Sequence, residues 1–333
     1  MFRRLGDEMT ENSDFEATRQ IYTVLVMHFL EGHKQSDIAE ALNLSTSKVN
    51  RMIAQGRKQG MVRIEIESPF QRLVEIEHLL VQAAGLGSAV VTPTVSGNLD
   101  TTLKQVGRAA ANQLLESLRD GDVIAITGGK AVSAVVDNLD PERTFDVTVV
   151  PLTGGVQGKY YTDVNHLASR LAERLGGSTH LVHAPLFAES IEQRDMLMDL
   201  GSVKEAFQLA RKAAIALVGI GSIQTPGSSY YDLHPDSTAD RERLTKSGVV
   251  AEFLAHLIGE NGEVADYALN SRLVALSPGD LAGCPKVIGV AAGSEKVLPI
   301  RAALRGHYLN SLVLDEETAA GVLDKMESKK NVA

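Results

Sequence analysis

The sequence predicts an α/β protein: a small all-α winged helix-turn-helix domain followed by a large, doubly wound, mainly parallel α/β domain. Two short amphipathic helices separated by a tight turn occupy residues 35–58, and a strand pattern follows them directly. From about residue 88 to residue 326, short β-branched segments alternate with Gly-rich turns and helical stretches. Continuously apolar strands that alternate with helices are typical of a parallel sheet covered on both faces.

The helix pair at residues 35–58 has the apolar spacing of a helix-turn-helix, although an ordinary antiparallel helix pair would share it. The positions that form the inner faces of the two helices are Ile38, Ala39, Leu42, Val49, Met52 and Ile53. Leu44 fills the turn, and Asn43 stands where a left-handed backbone is expected. Ser45 can cap the second helix by accepting from the free amides of its first turn.

The outward face of the second helix favours DNA as the partner, because it offers hydroxyls, an amide and a guanidinium but no carboxylate. Residues 48–63 contain five basic residues and no acidic one, whereas the whole chain of 333 residues has a net charge of −9. A local basic face on an acidic protein suits a specific DNA reader. The predicted DNA-binding residues are Gln35, Ser36, Ser45, Thr46, Ser47, Lys48, Asn50, Arg51 and Arg63. Arg63 lies on a predicted wing strand at residues 61–67.

Three segments are predicted along the chain. Residues 1–67 form the winged helix-turn-helix domain, residues 68–87 a linker helix or the start of the next domain, and residues 88–333 the α/β domain.

A single cysteine, Cys284, excludes an intramolecular disulfide and fits a reducing cytoplasm. The sequence shows neither an apolar segment of the ~20 residues needed to span a bilayer nor a signal peptide. The nine histidines show no metal-binding spacing, so no metal or other cofactor is expected.

Gly-rich or small-residue turns follow four of the predicted strands. They occupy residues 127–130, 153–155, 219–222 and 292–296. Ligands of an open parallel sheet bind at the carboxyl ends of the strands; glycines let the backbone approach, and free amides at a helix N-terminus favour an anion. Lys130 and Lys296 add positive charge. A single turn of this kind is commonly a packing turn, but their recurrence predicts a pocket for a small phosphorylated molecule. A Walker A loop and a complete G-x-G-x-x-G are both missing from the sequence.

Catalytic signals in the α/β domain are weak, and the sequence has no G-x-S-x-G motif. Asp232, His234, Asp236 and Asp240 lie close together and could form an acid/base pair, a metal-binding loop or a polar loop over the pocket. Glu252 follows an apolar segment and is either a surface carboxylate or a ligand for sugar hydroxyls. These alternatives stay open.

The chain resembles the SorC-type family of sugar-binding bacterial transcriptional regulators over nearly its full length. The residues that carry the resemblance are 35–69, 180–190, 213–222 and 285–319, the last with GVAAGSEK, ALRG and LDEETA in this order. The resemblance implies an effector domain similar to glucosamine-6-phosphate deaminases and ribose-5-phosphate isomerases. It also implies that the protein binds operator DNA as a homotetramer, a dimer of dimers. A sugar phosphate would release this tetramer from the DNA or rearrange it.

The resemblance further implies which residues contact the effector. Lys296 matches a lysine beside the phosphate, and Glu252 stands where an Asp usually meets sugar hydroxyls. Gly128 and Ala131 stand where a Trp and a hydroxyl residue are usual, which removes one aromatic wall and one hydroxyl. The implied effector-binding residues are Thr127, Gly128, Gly129, Lys130, Thr153, Gly154, Gly155, Gln157, Gly219, Gly221, Ser222, Glu252, Gly293 and Lys296.

The sequence therefore predicts a cytoplasmic, DNA-binding transcriptional regulator of a carbohydrate-utilisation operon. The family resemblance implies that it is a repressor. Its expected partners are operator DNA, a sugar or sugar phosphate and further copies of itself, but no membrane. The alternative is a sugar-phosphate isomerase or deaminase fused to a DNA-binding module, in which Glu252 or residues 232–240 would transfer the proton. A third possibility is an α/β domain that serves oligomerisation alone.

Overall fold

The computed structural model describes residues 15–62, 71–156, 159, 161–223, 244 and 246–330. The chain divides into two compact units, Met1–Pro69 and Phe70–Ala333. The predicted wing strand beyond residue 62, including Arg63, lies outside the described residues, as do Gln157 and residues 232–240. No described helix is long and apolar enough to cross a membrane.

The described residues of the small unit, 15–62, form three helices. They are α1, with residues 15–25 α-helical and Val26–Leu30 π-helical, α2 (Gln35–Ala41) and α3 (Thr46–Lys58). Their common hydrophobic cluster consists of Ile21, Val24, Leu25, Ile38, Ala39, Val49, Met52 and Ile53. Gly56 lets α3 approach α1 closely, because a Cβ at this position would lie 2.6 Å from Leu25 Cδ1.

The turn between α2 and α3 confirms the local predictions. Asn43 has a φ of 53°, in the left-handed region that asparagine tolerates. The Ser45 hydroxyl accepts a hydrogen bond from the Lys48 amide at 3.2 Å and so caps α3. The turn and the cap together fix the direction in which α3 leaves α2, and therefore which of its side chains face outward.

The large unit alternates strands and helices. In chain order its main elements are α4 (Gln71–Ala84), β1 (Ser88–Thr92), α5 (Leu99–Ser117), β2 (Val123–Ile126), α6 (Lys130–Asp137), β3 (Thr148–Pro151), α7 (Val164–Leu175), β4 (Ser178–Thr179), α8 (Ile191–Asp199), α9 (Gly201–Ala210), β5 (Ile215–Gly219), β6 (Gly221–Ser222), β7 (Val249–Phe253), β8 (His256–Gly259), β9 (Lys286–Val290), α10 (Val297–Arg305), β10 (Ser311–Asp315) and α11 (Glu316–Lys330).

Seven strands form one parallel sheet in the order β1-β10-β9-β5-β2-β3-β4. The chain passes from β2 to β3 toward one edge and from β5 to β9 toward the other, so the strand order reverses between β2 and β5. Each face of the sheet carries its own hydrophobic cluster, one with α4, α9 and α10 and the other with α5, α6 and α7. The doubly wound parallel fold that the sequence predicts is confirmed.

Three features of the large unit differ from the sequence-based expectation or extend it. Helix α4 packs against β1 and buries Leu73, Ile76 and Leu80 in the cluster on one face of the sheet, so it is part of this unit. Residues 179–185 are one of the β-branched segments of the sequence pattern, but only Thr179 lies in a strand, β4 (Ser178–Thr179). A separate antiparallel sheet, β6-β7-β8, was not predicted and begins two residues after β5 ends.

Candidate functional site

A cavity of about 380 Å³ lies at the carboxyl ends of β2, β5 and β9, where the strand order reverses. The sequence-predicted residues that line it are Thr127, Gly128, Gly129, Lys130, Thr153, Gly154, Gly219, Gly221, Ser222, Glu252 and Lys296. Gly155 and Gly293 belong to the same turns but are not among the lining residues, and Gln157 lies outside the described residues. The parallel topology thus brings the four Gly-rich turns together.

The turn after β2 has room for glycine only. A Cβ on Gly128 would lie 2.8 Å from the carbonyl oxygen of Thr162, so the Trp that the resemblance expects at this position could not fit. Gly129 has a φ of 119°, and its amide donates to the Tyr161 carbonyl at 2.7 Å. The backbone at residues 161–162 therefore occupies the space beside the turn, and Thr162 joins the cavity lining.

Helix α6 begins at this turn and directs its N-terminus at the cavity. Gly129 is its N-cap, and no side chain caps it. The first amides of a helix have no partner within the helix, and together with the helix dipole they favour an anion. Lys130 lines the cavity beside them, with its ammonium 5.5 Å from the centroid of the Tyr161 ring.

A second group of lining residues carries both signs of charge. The Lys296 ammonium donates to the Ile220 carbonyl at 3.0 Å, and Glu252 and Glu295 line the cavity with it. Burial raises the pKa of Glu252, while the Lys296 charge and a hydrogen bond from the Ala255 amide oppose that rise. Burial lowers the pKa of Lys296, against the opposing charges of Glu295 and Glu252. A ligand that brings negative charge to Lys296 would compete with these carboxylates.

The β7–β8 hairpin holds Glu252 in place. The two residues of its turn, Leu254 and Ala255, have φ values of 50° and 63°, a conformation for which Asn-Gly is the usual sequence. The His256 Nδ1 donates to the Leu254 carbonyl at 2.9 Å, and burial lowers the pKa of His256. On the neighbouring strand β6, Gly221 pairs with Glu252, and a Cβ on this glycine would lie 2.7 Å from the Glu252 carboxylate. The carboxylate therefore lies over a glycine, with its orientation set by a strained turn.

Sequence reasoning missed several lining residues. They are Leu99, Leu103, Ala131, Thr162, Leu186, Leu254, Ala255 and Ala291, whereas Ile220, Ala292 and Glu295 lie in the predicted turns at residues 219–222 and 292–296. Most are aliphatic, and they make the cavity apolar between its charged groups. Within the part of the chain that the structure describes, no three His, Cys, Asp or Glu side chains converge as a metal site requires.

The predicted DNA-binding residues form an exposed surface on the small unit. The exposed ones are Ser36, Ser45, Thr46, Ser47, Lys48, Asn50 and Arg51, while Gln35 is half-buried. The Ser45 hydroxyl is engaged by the cap of α3. Two further basic residues, Arg57 and Lys58, lie exposed in the last turn of α3. The outward surface of α3 therefore carries four cations and no carboxylate.

Comparisons with known proteins agree with both halves of this description. Residues 23–59 match the model of sigma-70 region 4, and residues 68–324 match the family model of sugar-binding domains (Sugar-bind). The erythritol catabolism regulatory protein EryD of Brucella abortus is 29% identical over 309 residues, 91% of this chain and 96% of that protein. The transcriptional regulator LsrR of an Enterobacter species is 30% identical and covers 89% of this chain and 90% of its own length.

The full-length sorbitol operon regulator SorC of Klebsiella pneumoniae has the same fold, with a TM-score of 0.72 and 27% identity over 92% of this chain and 98% of that chain. These relatives are transcriptional regulators and not enzymes, which sets aside the isomerase or deaminase alternative. The chain therefore belongs to the SorC-type family of sugar-binding transcriptional regulators, in which a helix-turn-helix region is joined to a sugar-binding domain.

Proposed function

We propose that the cavity binds a phosphorylated sugar or sugar alcohol, and that this effector controls the binding of α3 to operator DNA. The observation that carries the proposal is the meeting in one cavity of two lysines, the Glu252 carboxylate and the N-terminus of α6, which no side chain caps. Two relatives have names that refer to erythritol and sorbitol, which are both sugar alcohols.

In this proposal the phosphate lies between Lys130, Lys296 and the first amides of α6, because these are the positive groups of the cavity. Glu252 accepts hydrogen bonds from the hydroxyls of the sugar. The aliphatic lining covers the carbon chain. The effector binds one arrangement of the protein more tightly than another, and it can shift their populations only by that difference in affinity.

In this proposal the outward surface of α3 binds the DNA. The side chains that contact base edges or phosphates in the major groove are Thr46, Ser47, Asn50 and Arg51. Two copies of the chain place two such helices on the half-sites of one operator, and two dimers form the proposed tetramer. The protein acts in the cytoplasm as a repressor of a carbohydrate-utilisation operon, and the effector releases it from DNA.

Two binding experiments test the proposal. Erythritol 4-phosphate, ribose 5-phosphate and fructose 6-phosphate, each beside its unphosphorylated counterpart, are titrated into the full-length protein, and the products are analysed for turnover. We expect binding of a phosphorylated compound without conversion. Turnover would favour an enzyme, and binding of none would contradict the effector site.

The DNA-binding half is tested with duplexes selected from a random pool by the wild-type protein. Arg51→Ala is expected to lower affinity for them by about 5- to 150-fold, the equivalent of one base contact, and to leave effector binding intact. Arg19→Ala removes an exposed arginine of α1 in the same unit and is the control. Undiminished DNA affinity of Arg51→Ala would refute the assignment of α3.

A further inference from the structure

Asp315, the last residue of β10, has a buried carboxylate, and each of its two oxygens accepts two hydrogen bonds. It is 1% exposed. Its Oδ1 accepts from the Thr318 hydroxyl at 2.7 Å and from the Gly293 amide at 2.9 Å. Its Oδ2 accepts from the Thr94 hydroxyl at 2.8 Å and from the Thr318 amide at 3.2 Å. Four donors from three separate segments therefore meet on one side chain that does not line the cavity.

One of these donors belongs to the turn that carries Lys296. Gly293 has a φ of 103°, and a Cβ on it would collide with the Glu295 carboxylate. Its carbonyl accepts from the Lys296 amide at 2.9 Å, so this glycine begins the short helical turn Ser294–Lys296. Asp315 thus holds one end of the turn, and the bond from Lys296 to the Ile220 carbonyl holds the other end.

We propose that Asp315 is a positioning residue of the effector site: through Gly293 it fixes the turn that aims the Lys296 ammonium into the cavity. The inference rests on the proposed function, because it concerns the affinity of that cavity for a phosphorylated ligand. Asp315 itself does not touch the ligand.

The carboxylate is specifically required for this role. An asparagine has one acceptor oxygen and one amide nitrogen. In either orientation its NH₂ group would face one backbone amide, with which it forms no hydrogen bond, and one threonine hydroxyl, which can turn and accept from it. Asp315→Asn therefore leaves the Gly293 amide either without an acceptor or with a neutral amide oxygen in place of a carboxylate, although the volume of the side chain is nearly unchanged.

A double-mutant cycle in the full-length protein tests the proposal, with erythritol 4-phosphate and ribose 5-phosphate as probes in isothermal titration. Asp315→Asn is expected to raise the Kd of the bound probe about tenfold, as one lost charge-assisted hydrogen bond would. Lys296→Met removes the ammonium. In the Lys296→Met background, Asp315→Asn should raise the Kd no further, because the residue through which it acts is gone.

The control is Ser311→Ala, at the opposite end of the same strand. Ser311 is equally buried and bonds to Gln113 at 3.1 Å and Ser88 at 2.8 Å, so its loss should lower the Tm and leave the Kd unchanged. If Asp315→Asn does not fold, Thr318→Val replaces it in the cycle, with an expected rise in Kd of about threefold. Additive effects of Asp315→Asn and Lys296→Met, or an unchanged Kd, would overturn the inference. If the wild-type protein bound neither probe nor fructose 6-phosphate, the proposed function would fail and the inference with it.

Discussion

Replacement of Lys296 by methionine removes the charge of the residue but keeps most of its length. In the structure the ammonium has one carbonyl partner at 3.0 Å and two nearby carboxylates, Glu252 and Glu295. A hydrogen bond to a charged group contributes about 1.5–3 kcal/mol net, which corresponds to about a 10- to 150-fold rise in the Kd of a sugar phosphate.

The assay is isothermal titration of wild type and Lys296→Met with the sugar phosphate that binds the wild type, and in parallel with its unphosphorylated counterpart. Only the phosphorylated compound should lose most of its affinity. Lys204→Met is the matched control, because Lys204 is exposed and pairs with Asp199 at 3.4 Å on the surface. An equal loss for both compounds, or no loss, would refute the assignment of the phosphate to Lys296.

Two further predictions concern the stability of the ligand-free protein. Burial raises the pKa of Glu252 above its ordinary value near 4.5, so ionisation of this residue destabilises the fold as the pH rises above that value. The Tm of Glu252→Gln should therefore exceed the Tm of wild type by more at pH 8 than at pH 4. An equal Tm difference at both pH values would contradict this. Ala255→Gly should raise the free energy of unfolding by about 1 kcal/mol, because glycine tolerates the φ of 63°. His307→Gly, at an exposed residue with a φ of 54°, should raise it by about the same amount. A lower Tm for Ala255→Gly would show that the turn is not strained.

Local signals made the small unit predictable. Asn43 and Ser45 act on backbone within three residues of themselves, so their roles follow from the sequence alone. The apolar spacing of α2 and α3 likewise depends on helical period and not on distant contacts. The wing, including Arg63, stays a prediction, because it lies outside the described residues.

The charged part of the cavity was predictable for a topological reason. The carboxyl ends of parallel strands meet at one edge of a sheet, so turns far apart in sequence could be expected to converge. Which residues complete the cavity depends on contacts that no short pattern encodes. Leu99 and Leu103 enter from α5, and Thr162 enters because a loop crosses Gly128.

The hairpin turn at Leu254 and Ala255 was unpredictable for a different reason. Its sequence lacks the Asn-Gly signature of a turn with two positive φ values, and His256 and the surrounding packing hold the conformation instead. Local preference and tertiary structure disagree here, which is the expected behaviour of a strained site. The disagreement lies beside Glu252, in the wall of the proposed effector site.

The central claim is that occupation of the cavity controls the DNA affinity of α3. Its most direct test is the Kd of the full-length protein for its selected duplex, measured without effector and at a saturating concentration of the sugar phosphate that it binds. We predict a rise in Kd of at least about fivefold with effector, the lower range of allosteric coupling. An unchanged Kd at demonstrated saturation would contradict the account.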